Sequence, residues 1–573
     1  MLGCRLRWDT LMQAIQRCSL LLCLCVGSAC RPATPVANST NHSREPVQLE
    51  TPALKVFLDR SVDSLSGCDF HNGRETNLKS ILEILGGGIS CLDFDNDGNC
   101  DLFFSRGGHI DPQQRQVRGL PGRLMKGDGQ WGFADSTTQA NLESCQLYGH
   151  GMTSADWNHD GFEDLLVYGY HGAVLWCNMG DGTFQKLAED AFQHNVWTSA
   201  ATWFDVNGDQ ALDCYLGSYV NWDFDTHQTC ANHLGEPDVC SPNAFEGMTS
   251  AVFVNNRDGT FSHAPDLLTA PQPTKTLSVL AAEFSPGQGV GLYVANDLIA
   301  NFLFLNRAGE FEDVAFSHGA AVDDQGTTNA SMGLTLLDFD GDQQMDLFVT
   351  NFSDELMGLY LNHGQSVFQH ASRQVGLNRL DPRLVAFGTV AADFDGDGDE
   401  DIIYTCGHVY YQPSNSPFNQ PTVYLENVQG KSLRRLTSDC DFFSQVGVGR
   451  GLAAADIDND GDLDLVATRL IHPPKLAENI ESPKTWIGVT LVGTRASRTP
   501  IGTTVYATLG DVTQTRQLYG GGSYLSQNQS RLYFAWPLDS APTVQVSLDV
   551  HWSDGSSSQY ALQAGRQHVV VQP

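Results

Sequence analysis

A twelve-residue acidic pattern returns six times along this 573-residue chain and constrains its fold more than any other feature. The copies are DFDNDGNCDLFF from Asp93, DWNHDGFEDLLV from Asp156, DVNGDQALDCYL from Asp205, DFDGDQQMDLFV from Asp338, DFDGDGDEDIIY from Asp393 and DIDNDGDLDLVA from Asp456. Asp or Asn stands at positions 1, 3 and 5, and Asp at position 9, of every copy. The candidate ligands are therefore Asp93, Asp95, Asp97 and Asp101; Asp156, Asn158, Asp160 and Asp164; Asp205, Asn207, Asp209 and Asp213; Asp338, Asp340, Asp342 and Asp346; Asp393, Asp395, Asp397 and Asp401; and Asp456, Asp458, Asp460 and Asp464. A seventh segment, EFSPGQGVGLYV from Glu283, keeps the register and the strand but loses most of the acids. First positions follow one another at 49 to 78 residues, a period that signals stacked repeats.

A second element recurs between the acidic segments. VLWCNMGDGTFQKL, AVFVNNRDGTFSHA, FLFLNRAGEFEDVA and GLYLNHGQSVFQHA each set an apolar strand before Asn, a Gly-containing turn and Phe. That is the signature of a tight hairpin, because Asn and Gly adopt the positive φ angles such turns need. Each unit then supplies four strands, and one such sheet cannot bury both faces without neighbours. The expected fold class is all-β: a seven-bladed β-propeller over residues 51–480, then a small C-terminal β-sandwich-like domain over 482–573.

Alternating carboxylates at positions 1, 3 and 5, closed by another at position 9, suit a hard cation. Calcium takes six to eight oxygens and tolerates irregular geometry, magnesium demands a stricter octahedron, and zinc prefers Cys and His. Asp fills 22 of the 24 ligand positions. The EF-hand also begins DxDxDG, but it ends in Glu at position 12 and is flanked by helices, whereas these segments sit between strands. Asp as a mere turn former is the competing reading; it gives no reason for the acid at position 9. The loops at Asp93, Asp338, Asp393 and Asp456 hold all four carboxylates and are expected to bind best. Gln210 replaces the usual Gly in the Asp205 loop, and the Glu283 loop is expected to be metal-free, its blade held by packing. About five or six Ca²⁺ ions follow.

These repeats resemble the FG-GAP or VCBS repeats of integrin α-chain propellers and exported bacterial proteins. From about residue 482 a different β pattern begins. Its segments LVGTRASRTPIGTTV, GGGSYLSQNQ and VHWSDG resemble the ASPIC/UnbV domain, and the order of the two parts resembles the cartilage acidic protein-like family. The resemblance implies an extracellular or envelope role and supplies no defined activity. Gly520, Gly521 and Gly522 lack the helix and Lys of a phosphate-binding loop and read as a strained turn.

The formal net charge is -34. Clustered cations for nucleic acid or anionic membrane are lacking, so neither is an expected partner. Arg5, Arg7 and Arg17 precede an apolar run at Ser19–Val26 and the small residues Gly27, Ser28 and Ala29, which reads as an export signal over 1–30. Cys30 lies where bacterial lipoproteins are acylated, although Gly27 replaces the usual Leu, so free secretion and a lipid anchor both stay open. Residues 31–50 are polar and Pro-rich, as in a flexible linker. No later segment approaches the roughly 20 apolar residues of a transmembrane helix. Ten cysteines follow Cys30; Cys230 and Cys240 bracket a polar loop and are the expected disulfide.

The function expected on this reading is binding: a protein or glycan ligand on one propeller face, at the cell envelope or outside the cell. Residues 217–248, with Trp222 and Phe224, and the segment CGHVYYQPSNSPFNQP from Cys406 are the long insertions available for it. The alternative is a lyase-like enzyme using His408 with Tyr410 and Tyr411 as base and acid. Burial of His408 between blades would count against it.

Overall fold

Residues 53–573 are described by a computed structural model, apart from 55, 62–64, 145, 189–190, 269, 308–309, 482–484 and 538–543. The expected export signal, Cys30 and the linker 31–50 lie outside the described residues. Each acidic segment joins the first strand of an antiparallel sheet to the second. Blade 1 comprises Ile89–Leu92, Asp101–Phe104, Arg123–Gly127 and Phe133–Asp135. Blade 2 begins at Tyr148–Ala155, blade 3 at Thr198–Phe204, blade 4 at Thr276–Ala282, blade 5 at Leu334–Leu337, blade 6 at Ala386–Ala392 and blade 7 at Gly449–Ala455.

Among the described residues these are seven sheets of this kind, and apolar side chains from facing sheets fill every interface around the ring. Ala453 and Ile457 of blade 7, for example, pack with Ile89, Cys91 and Leu102 of blade 1. Inner strands such as Tyr148–Ala155 are buried along their whole length, whereas the outer strand Phe184–Lys186 buries Phe184 and exposes Gln185 and Lys186. The ring closes through the N-terminal strand Phe57–Asp59, which pairs antiparallel with His472–Asn479 as the fourth strand of blade 7. The closure joins residues more than 400 apart, and it shields an edge that would otherwise be unpaired.

In the C-terminal domain, Arg531–Trp536, Thr485–Val492 and Arg566–Val571 form one sheet. Val512–Gln517, Thr504–Leu509, Gln545–His551 and Ser557–Gln563 form another, and the two share a core around Ile487, Val505, Phe534, Trp536 and Leu548. Thr51–Pro573 is nonetheless one compact unit, because the segment 519–529 of this domain enters the propeller axis.

The glycine run makes the turn its sequence implies, with φ of 72° at Gly521 and 88° at Gly522. A Cβ on Gly521 would lie 2.2 Å from the Val279 carbonyl oxygen, so only glycine can approach the inner strand this closely. Beyond the turn, Ser523 and Leu334 exchange backbone hydrogen bonds in blade 5, and the Ser523 hydroxyl donates to the Leu452 carbonyl of blade 7 at 2.7 Å. The Thr389 amide of blade 6 donates to the Ser523 hydroxyl at 3.2 Å, and Gly522 donates to Val279 of blade 4 at 2.9 Å. Gln527 bonds Ile89 and Cys91 of blade 1 through its backbone, and Thr153 and Ser154 of blade 2 through its side chain. Gly520 packs on Thr202 of blade 3. One loop thus touches the innermost strand of all seven blades.

Candidate metal centres

The acidic loops are wrapped around their own first residue. Asp93 Oδ1 accepts the Asp97 amide at 3.0 Å and Oδ2 the Gly98 amide at 2.9 Å; Asp156, Asp205, Asp393 and Asp456 repeat the pair of bonds. The residue donating the second bond lies in the left-handed region, at φ 86° in Gly98 and 103° in Gly461. Gln210 and also Gln343 adopt it without being glycine, at φ 72° and 70°, so both strain the turn.

Position 9 has a structural task that the spacing alone does not reveal. Asp464 Oδ2 accepts the Ile457 amide and Oδ1 the Asn479 amide, both at 2.9 Å, tying the loop to the third strand; Asp101, Asp213 and Asp346 do the same. An Asn at the end of the third strand reaches across the blade boundary in five blades. Asn178 donates to the Phe94 carbonyl, Asn255 to Trp157, Asn362 to Phe284, Asn427 to Phe339 and Asn479 to Phe394. Blade 1 has Gly127 at this place, and its seam with blade 7 carries instead the Trp131 indole on Asp458 at 3.0 Å and Asn459 on Asn99.

In four loops, three carboxylates bring oxygens within 4.8 Å of one another: Asp93, Asp95 and Asp101; Asp338, Asp340 and Asp342; Asp393, Asp395 and Asp397; Asp456, Asp458 and Asp460. In blades 2 and 3 an Asn occupies position 3 and donates to the Asp at position 5, Asn158 to Asp160 and Asn207 to Asp209. The donor set suits a hard cation. Asp95 Oδ1 and Asp458 Oδ1 are buried with no hydrogen-bond partner. Burial, reinforced by neighbouring carboxylates, pushes Asp101 and Asp346 up to about 8, while burial and the Glu400 carboxylate push Asp338 up to about 7. A divalent ion bound at these loops would neutralise the carboxylates.

Several loops already face a cationic side chain. Lys126 bridges Asp95 and Asp97, Arg257 lies 3.3 Å from Asp209, and Arg498 of the C-terminal domain lies 3.5 Å from Asp156. Arg516 of the same domain pairs with the buried Glu400 at 3.2 Å. The C-terminal domain therefore sits on the acidic face. At the Glu283 loop, Gln517 bonds both the amide and the carbonyl of Glu283, and Gly520–Gly521 adds a strand to blade 4. That blade is not held by packing alone.

The two long insertions meet on the other face. Asp238 accepts the Tyr411 amide at 3.0 Å and the Gln412 amide at 3.1 Å, and Asn232 donates to Gln412. Cys230 and Cys240 are disulfide-bonded. Trp222 is buried against Tyr170 and Phe224. His408 is only 3% exposed, its Nδ1 accepts the Tyr410 amide at 3.0 Å, and its ring packs on Phe352. Burial and then the Arg450 charge hold it down to about 4. His408 thus fills a packed turn and is not poised with Tyr410 and Tyr411 as acid and base. Beside it a cavity of about 60 Å³ is lined by Tyr219, Asp297, Met332, Phe387 and Tyr410.

A ring of four-stranded blades with acidic inner corners, plugged by an appended β-domain, is the class of protein that this fold and these loops define. The chain carries FG-GAP-like repeats, matched at residues 156–216 and 338–404, and a C-terminal ASPIC and UnbV domain, matched at 493–573. It is similar to cartilage acidic protein 1 of Homo sapiens, 27% identical over 496 residues covering 74% of this chain and 71% of that protein. The Mus musculus protein is 26% identical over 478 residues, covering 71% of this chain and 70% of its own. Among solved structures, BBS1N in complex with ARL6DN aligns at a TM-score of 0.42 with 12% identity, covering 74% of this chain and 97% of that one. The BP39L lectin from Burkholderia pseudomallei aligns at 0.40 with 9% identity, covering 70% and 94%.

Proposed function

We propose that this chain is an exported, calcium-loaded propeller that binds a protein or glycan ligand, without catalysis, on the face opposite its acidic loops. The observation that carries the reading is the convergence of three carboxylates in each of four loops, since ions there would rigidify the ring that displays the insertions. The face assignment follows from occupancy: the C-terminal domain covers the acidic side and fills the axis. Export is supported by the Cys230–Cys240 disulfide, which persists in oxidising compartments. Among the described residues no helix is long and apolar enough to cross a membrane.

The test begins with calorimetric titration of chelator-stripped protein. Calcium is expected to bind at about five or six sites and to raise the unfolding temperature, with magnesium weaker at each. Absence of divalent uptake refutes the calcium part. Capture of extracellular proteins and a glycan array, run with calcium and with chelator, then identify the ligand class.

A further inference from the structure

Two acidic loops carry a fifth carboxylate at position 7, Asp399 in blade 6 and Asp462 in blade 7, and of these only Asp462 is buried. It is 5% exposed, and neither of its oxygens has a hydrogen-bond partner. It faces the carboxylates of Asp456, Asp458 and Asp460. Among the described residues no Lys or Arg ion-pairs with Asp462, in contrast to Lys126 in blade 1 and Arg257 in blade 3. A buried carboxylate in like-charged company calls for a counter-ion.

The same loop is roofed by the C-terminal domain. Tyr533 donates its hydroxyl to Asp456 Oδ2 at 3.0 Å, and Gln567 Nε2 donates to that oxygen at 3.1 Å and to Asn459 at 2.9 Å. Gln529 Oε1 accepts the Asp456 amide at 3.3 Å. Trp486 lies so close above Gly461 that a Cβ there would fall 2.0 Å from the indole. The groups that touch Asp456 are neutral; the one roof cation, Arg531, donates to the Tyr533 hydroxyl at 3.1 Å and acts on Asp456 from behind it, with no ion pair to Asp462 among the described residues.

We propose that blade 7 holds an interdomain cation site in which Asp462 joins Asp456, Asp458 and Asp460, and that a divalent ion bound there locks the C-terminal domain onto the propeller. The inference rests on the calcium reading above. Asp456 is the coupling element: its carboxylate belongs to the cluster and also receives Tyr533 and Gln567, so an ion that fixes it fixes their acceptor. Linkage makes the effect reciprocal, since whatever weakens the roof weakens the ion.

The experiment uses the full chain, stripped with chelator and titrated with Ca²⁺, with hydrogen exchange followed in the strands Arg531–Trp536 and Arg566–Val571. Calcium is expected to slow exchange in both strands of the wild type. Asp462→Asn should bind one ion fewer and lose this protection, whereas Asp95→Asn in blade 1 should weaken its own site and leave the protection intact. Tyr533→Phe combined with Gln567→Ala should weaken one site about tenfold. Unchanged ion number and unchanged protection in Asp462→Asn overturn the lock while leaving calcium binding elsewhere intact. Absence of uptake by the wild type overturns the calcium reading itself.

Discussion

Replacing Gln527 by Ala is expected to loosen blades 1 and 2 at the axis without disturbing the C-terminal sandwich. The Gln527 side chain accepts from the Thr153 hydroxyl at 2.6 Å and the Ser154 amide at 2.8 Å, and donates to the Ser154 carbonyl and hydroxyl at 3.1 and 3.0 Å. Thr153 and Ser154 are 3% and 4% exposed, so truncation strands a buried amide and a buried hydroxyl. Each such group costs about 1 to 3 kcal/mol when unsatisfied. These residues also line a cavity of about 120 Å³ between the domain and the propeller mouth, from which water can reach the gap and recover part of the loss. The net cost should be about 2 kcal/mol, which speeds exchange through local opening about thirtyfold. Native-state amide exchange at Cys91 and Ser154 is the assay, with Val489 of the sandwich core as internal reference. Equal exchange at all three positions in variant and wild type would refute the assignment of this loop as the axial brace.

Asn427→Ala should lower stability by about 1 to 3 kcal/mol, read from denaturant unfolding, because Asn427 Nδ2 donates to Phe339 of the neighbouring blade and Oδ1 accepts the Gly430 amide. Acid should destabilise the ring through buried neutral histidines. Burial holds His150 down to about 3, below its unfolded value near 6.5, so its contribution is complete above about pH 6.5 and is lost as pH falls toward 3. His150→Phe, which preserves the stack on Phe70 and Trp197, should make the pH dependence shallower by about 1.4 kcal/mol per unit in that window.

Local signals were the legible ones. The acidic segments mark one inner corner per blade because the first Asp wraps its own loop, a contact spanning five residues that any copy of the pattern can make. The Cys230–Cys240 bridge was legible for the same reason of proximity. What the pattern could not show are contacts between remote segments. Nothing near Gly520 announces that Ser523 will meet Leu334, Thr389 and Leu452; the glycines declare a turn and not its destination. The acid at position 9 looked like a ligand only, since its amide partners sit on the third strand, 15 residues onward in the Asp464–Asn479 case. Lys126 carried no signal at all until the strand pairing placed it over Asp95 and Asp97.

The placement of the C-terminal domain decides where a ligand can bind, and this can be tested directly. With one face covered and the axis filled, a large partner has the insertion face available, where the loop closed by Cys230 and Cys240 lifts Leu234 to 64% exposure. An exposed apolar side chain at a loop tip braced by a disulfide and by the Asn232–Gln412 bond is preorganised, so little conformational entropy is lost when it is covered. Leu234→Asp should therefore weaken capture of the ligand by tenfold or more, about 1.4 kcal/mol, while calcium uptake stays at the wild-type level. Phe316, 71% exposed beyond the outer edge of blade 4, is the matched control, and Phe316→Asp should leave capture unchanged. Loss of capture in Phe316→Asp with none in Leu234→Asp would move the binding surface from the insertion face to the rim.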